Sequence, residues 1–267
     1  MKTVSELQDM KNRVTVITGG AGHIGSAICN ALAEHGADIV IVDSNELLCR
    51  DTCAQLEREY GIETLPVAID LTDEKSIREI PGRVTDKFPS LDILVHCAAL
   101  VGTSDLKGWG VPFREQNADT WRLALDVNLT APFILTQSCS GELAKSGHGS
   151  IINIGSIYGI NGPDMQLYEG TSMGNPAAYA ASKGGLIQLT RYLATVLAPR
   201  IRVNAITVGG VFRNQPEPFL SKYISKTPLH RMATEEDIKG AAVFLASDLS
   251  SYITGHNLVV DGGFTVW

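Results

Sequence analysis

Seven short apolar runs rich in β-branched residues recur along the chain, and longer segments with helical periodicity separate most of them. The runs are VTVIT (14–18), DIVIV (38–42), TLPVAI (64–69), LDILVH (91–96), SIINI (150–154), IRVNAIT (201–207) and NLVV (257–260). Runs of this length and composition read as strands. Helical patterns cover 24–35, 46–60, 73–88, 118–145, 177–198 and 235–247, with a break expected at Pro81-Gly82 in the third. Strands this hydrophobic, alternating with helices, must be covered on both faces, which implies an α/β fold built on a parallel sheet. At 267 residues with 44% hydrophobic content, the chain reads as one domain over 1–267, with 1–11 as a polar N-terminal extension.

Three long loops, 97–117, 155–176 and 208–234, each follow a strand. All three should emerge at the carboxyl edge of the sheet, where ligands bind in this architecture. Loops of such length are expected to be functional.

The formal charge of −7 gives no electrostatic reason to expect nucleic acid or an anionic membrane as partner, and favours a small-molecule ligand. The opening MKTVSELQDMKNR lacks the apolar core of a secretory signal, and no apolar run is long enough to span a bilayer, so a cytoplasmic protein is expected. Cys29, Cys49, Cys53, Cys97 and Cys139 are odd in number and contain no CxxC pair. Neither a disulfide framework nor a metal site is indicated.

The first strand runs into TGGAGHIG (18–25), where Gly20, Gly22 and Gly25 fit G-x-G-x-x-G between a strand and a helix. Glycines there permit a tight turn and close approach of main chain to a pyrophosphate, which the helix N-terminus attracts. Asp43, eighteen residues after Gly25, ends the second strand where an acid would reach adenosine ribose hydroxyls. A carboxylate repels a 2′-phosphate, and DSNE (43–46) holds no Arg or Lys to reverse that, so NAD is expected over NADP. The alternative for Asp43 is a helix N-cap.

Tyr179 and Lys183 lie four apart in a helical segment, so an ammonium can approach a phenol and lower its pKa. Tyr168, fifteen positions before Lys183 and across Gly170, Gly174 and Pro176, cannot use that geometry. Taken alone, the pair reads more simply as a buried aromatic and a solvated charge.

Together with DILVHCAA (92–99), DVNLTAPF (126–133), IINIGS (151–156), YAASKGG (179–185) and TGHNLVVDGG (254–263), these motifs resemble the short-chain dehydrogenase/reductase family over about 11–263. The resemblance implies a Rossmann-like doubly wound sheet of about seven strands in the order 3-2-1-4-5-6-7. Tyr179 would be the general acid/base, Lys183 would tune it and hold the nicotinamide ribose, Ser156 would bind the substrate oxygen, and Asn128 would position a water. The cofactor set would be Gly19, Gly22, His23, Ile24, Gly25, Asp43, Asp70, Leu71, Ala98, Ala99, Val211, Tyr179 and Lys183, with Asp70 and Leu71 flanking the adenine. A homotetramer or homodimer is also implied, with the last helix and the VVDGGFTVW end as contacts. Removing hydride from an alcohol carbon requires the hydroxyl proton to leave too, which a phenolate beside an ammonium can accept.

The chain departs from the family pattern in places. His23 stands where the common TGxxxGxG has glycine, while Gly22 supplies the TGxxGxxG spacing of the sugar-nucleotide branch. HCAA (96–99) replaces an asparagine-rich segment, and Val208 replaces a proline. The stretch between Ser156 and Tyr179 is long for the family, and the added segment, with Tyr168, should shape the pocket as a substrate contact, a lid residue or packing. That segment also resembles short-chain enzymes of flagellin and surface-sugar modification. Arg213, Lys222, Lys226, His230 and Arg231 form a local basic excess that points either to an anionic substrate or to a solvated lid face. The expected activity is NAD-dependent hydride transfer between nicotinamide and a secondary alcohol or ketone of a small polar substrate such as a sugar, polyol or sugar phosphate. A sugar-nucleotide epimerase or dehydratase, or an idle nucleotide-binding protein, are the alternatives.

Overall fold

A computed structural model describes residues 1–102 and 104–267. Seven parallel strands form one sheet: β1 (Val14–Thr18), β2 (Asp38–Asp43), β3 (Thr64–Ala68), β4 (Ile93–His96), β5 (Gly149–Ser156), β6 (Ile201–Val208) and β7 (Asn257–Val260). Their order is β3-β2-β1-β4-β5-β6-β7, the doubly wound arrangement expected. β1 pairs with β2 on one side and β4 on the other, so the chain reverses its winding direction at β1 and opens a crevice above it.

Nine α-helices are described: α1 (Val4–Gln8), α2 (His23–Glu34), α3 (Glu46–Tyr60), α4 (Glu74–Thr85), α5 (Ala118–Leu125), α6 (Ala131–Ser146), α7 (Ala177–Leu197), α8 (Phe219–Lys226) and α9 (Glu236–Ala246). Strand alternation decides which face each side chain serves. In β4, Ile93 and Val95 join the core beneath α2, α3 and α9, whereas Leu94 joins the core beneath α4, α6 and α7. Cys29, Cys49, Cys53 and Cys139 are buried in these two cores as small apolar groups. No described helix is long and apolar enough to cross a membrane.

The structure corrects several boundaries. Helix α4 runs through Pro81 without a break, because burial of Ile77, Ile80 and Val84 along one face outweighs the loss of one main-chain donor. The single helix expected over 118–145 is two helices joined by a π-helical turn, Asp126–Thr130, which carries the buried Asn128. Helix α8 lies inside what the sequence reading left as loop, and α1 precedes the sheet.

Asn45, Asp73 and Asn117 cap α3, α4 and α5 with side-chain acceptors. Helix α2 has no such cap: it starts at Gly22, and no main-chain partner within the described residues takes the amides of His23, Ile24 and Gly25. Gly19 adopts a left-handed φ of 66°, and Gly25 packs directly on it. A Cβ at Gly25 would overlap the Gly19 carbonyl oxygen and come within 2.9 Å of Gly20 Cα, all main chain that cannot rotate away. Gly25→Ala should therefore lower the urea unfolding free energy by about 1–3 kcal/mol; an unchanged midpoint would show that the turn can relax.

Candidate active site

The glycine turn, the end of β2 and the loops after β4, β5 and β6 enclose one cavity of about 1180 Å³. Its wall contains every residue expected to bind cofactor: Gly19, Gly22, His23, Ile24, Gly25, Asp43, Asp70, Leu71, Ala98, Ala99, Tyr179, Lys183 and Val211. Ser156 lies on the same wall. Asn128 does not; it sits behind it.

The last residue of β5 is Ser156, 5% exposed. Its Oγ accepts a hydrogen bond from the Tyr158 amide at 3.2 Å, so its own hydrogen is available to donate towards Tyr179 on the cavity wall. The short turn Ile157–Gly159 then packs against α7, where a Cβ at Gly159 would come within 2.8 Å of the Lys183 carbonyl. This contact brings Ser156 close to the first turns of α7, which carry Tyr179 and Lys183.

Lys183 is only 3% exposed, and its Nζ donates to the Ile154 carbonyl of β5 at 2.7 Å. Burial lowers its pKa from 10.5 to about 8. The amine lies 5.9 Å from the Tyr179 ring centroid. Sequence spacing suggested that this cation lowers the phenol's pKa, but in this structure Tyr179 stands above its ordinary value. Burial raises it and outweighs the opposing hydrogen bond from Ser156, while the ammonium is directed to Ile154.

Asn128 fastens the frame. Its Oδ1 accepts from the Leu100 amide at 2.7 Å, and its Nδ2 donates to the Leu100 carbonyl and to Ser182 Oγ, both at 3.1 Å. The segment after β4, where HCAA replaces the family's amides, is thus bridged to α7 by this one side chain. Both amide hydrogens are occupied, so the Asn128 side chain is not free to donate to a water near Lys183. His96, the first residue of HCAA, is buried against Thr136 Oγ1 at 2.9 Å, and burial lowers its pKa to about 3, which makes it a neutral core group.

The inserted segment and α8 form a lid together. Tyr168 is buried beside Ile157, Leu167, Phe219, Tyr223 and Met232, with its ring centroid 5.3 Å from that of Phe219. It also lines the cavity, so it serves both packing and pocket. The basic excess of this region holds the lid closed on itself. Lys222 donates to the carbonyls of Gln166 and Glu169, Lys226 pairs with Asp164, Arg231 with Asp237, and Arg213 with Glu235 at 2.6 Å. Of these, Arg213 alone reaches the cavity wall. Four of the five basic side chains are therefore engaged within the protein, as the solvated-lid alternative would have them.

Sequence reading missed Tyr158, Asn175, Phe219, Tyr223 and Met232 as pocket residues. Phe219 and Tyr223, four apart, were a helical signal inside the supposed loop; nothing in the sequence singles out Asn175. His23 is exposed and lines the cavity beside the glycine turn.

Comparison with known proteins adds the following. A family model described as Enoyl-(Acyl carrier protein) reductase matches residues 19–265. Post-translational flagellin modification protein A of Campylobacter coli is 31% identical over 257 residues, which cover 96% of this chain and 99% of that one. Cis-4-hydroxycyclohexanecarboxylate dehydrogenase of Sinomonas cyclohexanicum is 34% identical over 258 residues, 95% and 96% of the two chains. The crystal structure of a gluconate 5-dehydrogenase from Burkholderia cenocepacia in complex with NADP and tartrate superposes with a TM-score of 0.87 at 27% identity, covering 99% of this chain and all of that one.

The buried amine has a measurable signature. The unfolded chain keeps the Lys183 proton up to about 10.5 and the folded chain up to about 8, so the unfolded state binds more protons between those values. Stability attributable to this group therefore rises with pH across that window. Lys183→Met removes the effect: its stability relative to the parent protein should be most favourable below pH 8 and should decline towards pH 10.5. Urea melts at intervals from pH 7 to 10 check this, and a pH-independent difference would refute it.

Proposed function

The chain belongs to the short-chain dehydrogenase/reductase family, NAD(P)-dependent oxidoreductases acting on CH-OH groups, and on that premise we propose that it interconverts a secondary alcohol and a ketone in a small, uncharged, polar substrate, with NAD as cofactor. One observation carries the reading: the Ser156 hydroxyl, the Tyr179 phenol and the Lys183 amine meet in one cavity that continues to an uncapped helix N-terminus and to Asp43.

The wall fits a dinucleotide. The free amides of His23, Ile24 and Gly25, beside Gly19 and Gly22, would take the pyrophosphate, since unpartnered N–H groups at a helix start attract anions. Asp43 would accept hydrogen bonds from the adenosine ribose, Asp70 and Leu71 would flank the adenine, and Ala98, Ala99 and Val211 would border the rest. The nicotinamide supplies the hydride acceptor when bound. Ser156 would donate its hydroxyl hydrogen to the substrate oxygen and hold it beside Tyr179. Tyr179, as phenolate, would take the proton from that oxygen. Lys183 would hold the nicotinamide ribose and stabilise the phenolate once its ammonium turns from Ile154.

Preference for NAD rests on Asp43, Ser44, Asp70 and Thr72, which surround the adenosine end without a Lys or Arg among them. A 2′-phosphate there would face two carboxylates. Similarity to cis-4-hydroxycyclohexanecarboxylate dehydrogenase, whose named substrate is a ring alcohol that also carries a carboxylate, supports an alicyclic alcohol; the choice of an uncharged one rests on the engaged cations of the lid. The pairing of Arg213, Lys222, Lys226 and Arg231 argues against a sugar phosphate. Exposed Val259, Val266 and Trp267 at the carboxyl end are consistent with the homodimer or homotetramer implied by the resemblance.

The test is incubation with NAD and a panel of alcohols, polyols and phosphorylated sugars, read by NADH absorbance. Tyr179→Phe should cut turnover by about 10²–10⁴-fold while NADH still binds, as followed by its fluorescence; near-normal turnover in this variant removes the proposed acid/base. kcat/KM should favour NAD over NADP, and Asp43→Ala should narrow the difference by roughly tenfold, one charge–charge contact of about 1.4 kcal/mol. An intrinsic preference for NADP would remove Asp43 from this role.

A further inference from the structure

The lid places two phenols hydroxyl to hydroxyl beside the proposed proton carrier. Tyr158 and Tyr168 oxygens are 2.7 Å apart, and both residues line the cavity with Ser156 and Tyr179. Burial pushes both phenols above the ordinary value, Tyr168 to about 12; their shared hydrogen bond raises Tyr158 further and opposes the rise at Tyr168, and both stay protonated near neutrality. Two O–H groups share one hydrogen bond, and that leaves one hydrogen uncommitted. Asn175 stands on the same wall, 8% exposed; its buried Nδ2 lies beside Tyr168 and opposes the rise of that phenol's pKa, yet completes no hydrogen bond of normal length among the described residues. A buried amide donor without an acceptor is costly, so such groups require an explanation.

Neither the spare phenol hydrogen nor the Asn175 amide completes a further hydrogen bond among the described residues. Around them the wall is apolar or aromatic: Ile157, Met173, Phe219 and Met232. Of the lid's cations only Arg213 reaches the wall, and it is paired with Glu235. An excess of neutral donors in an apolar wall suits an uncharged oxygen better than a carboxylate or phosphate, whose burial needs a free cation.

We propose that Tyr158, Tyr168 and Asn175 form a specificity subsite for a second, uncharged oxygen of the substrate, a hydroxyl or carbonyl on an otherwise apolar skeleton, so that the enzyme acts on neutral diols or hydroxyketones in preference to simple alcohols. This rests on the oxidoreductase reading above. The oxygen attacked lies with Ser156 and Tyr179; the oxygen recognised lies with the phenol pair and the amide. Neither group of the subsite takes part in proton or hydride transfer.

The experiment compares cyclohexanol with its 1,2-, 1,3- and 1,4-diols, and with cyclohexanecarboxylate as a competitor, using NAD and the full chain. The best diol should exceed cyclohexanol in kcat/KM by about tenfold or more, the equivalent of one neutral hydrogen bond. Tyr168→Phe, which keeps the ring packed on Phe219, and Asn175→Leu should each bring that ratio towards one, mainly through KM for the diol. Should no alcohol of the set turn over, the same comparison is made by titrating cyclohexanone and 2-hydroxycyclohexanone into the protein–NADH complex and following nicotinamide fluorescence. Equal ratios in parent and variants, tighter binding of the carboxylate than of the diols, or no binding of any of these rings overturns the subsite. A protein that binds NADH but treats mono- and dioxygenated rings alike loses only this inference; one that binds no NADH loses the oxidoreductase reading, and the subsite with it.

Discussion

A buried ammonium bonded to a strand carbonyl holds this site together. Lys183 donates to Ile154, two residues before the end of β5, and so pins α7 to the carboxyl edge of the sheet where Ser156 emerges. Tyr179 lies one helical turn earlier and inherits its place from that bond. The bond also explains why spacing alone misjudged the electrostatics. An amine and a phenol four residues apart share a helix face, but the amine satisfies the nearest strong acceptor, and in a dry pocket burial sets the phenol's pKa. The pair is arranged for a ligand that can turn the ammonium away from the strand.

Around this anchor, polar side chains inside the frame are spent on closure. Asn128 uses three hydrogen bonds to join the segment after β4 to α7, and the π-helical turn that carries it is the local irregularity that lets an amide reach across. Lys222 and Lys226 clamp α8 onto the inserted segment. A lid stapled by its own charges can shape a pocket without lending that pocket a charge. The cavity therefore changes character along its length, from main-chain amides and carboxylates at the glycine turn to phenols, an amide and apolar rings beneath the lid.

Much of this was legible in the residues. The seven strands appeared as β-branched runs because a sheet covered on both faces buries most of their side chains, with Asn153 and Asn204 held inside by bonds to Thr190 and Ile253, and β1 and β7 match their expected limits to the residue. The expected cofactor-wall residues line the cavity because they follow strand ends, where the doubly wound topology leaves open space. Less was legible where several elements had to meet. Pro81 reads as a break, yet α4 continues, because three buried side chains hold the helix regardless of one lost donor. The basic stretch around α8 reads as a possible anion site, and only packing showed its partners to be Gln166, Glu169, Asp164, Glu235 and Asp237, residues remote or unremarkable in the sequence.

By itself, then, the sequence determined the period of every major element, the glycine turn, the acid at the end of β2, and the serine, tyrosine and lysine near the ends of β5 and α7. Such features are local: each follows from steric and hydrogen-bonding demands within a few residues. Tertiary structure decided which way Lys183 points, that the lid's cations are already partnered, and that Tyr158, Tyr168 and Asn175 share a wall. Those outcomes depend on which acceptor or surface lies closest once distant segments pack together, and no spacing along the chain encodes that distance.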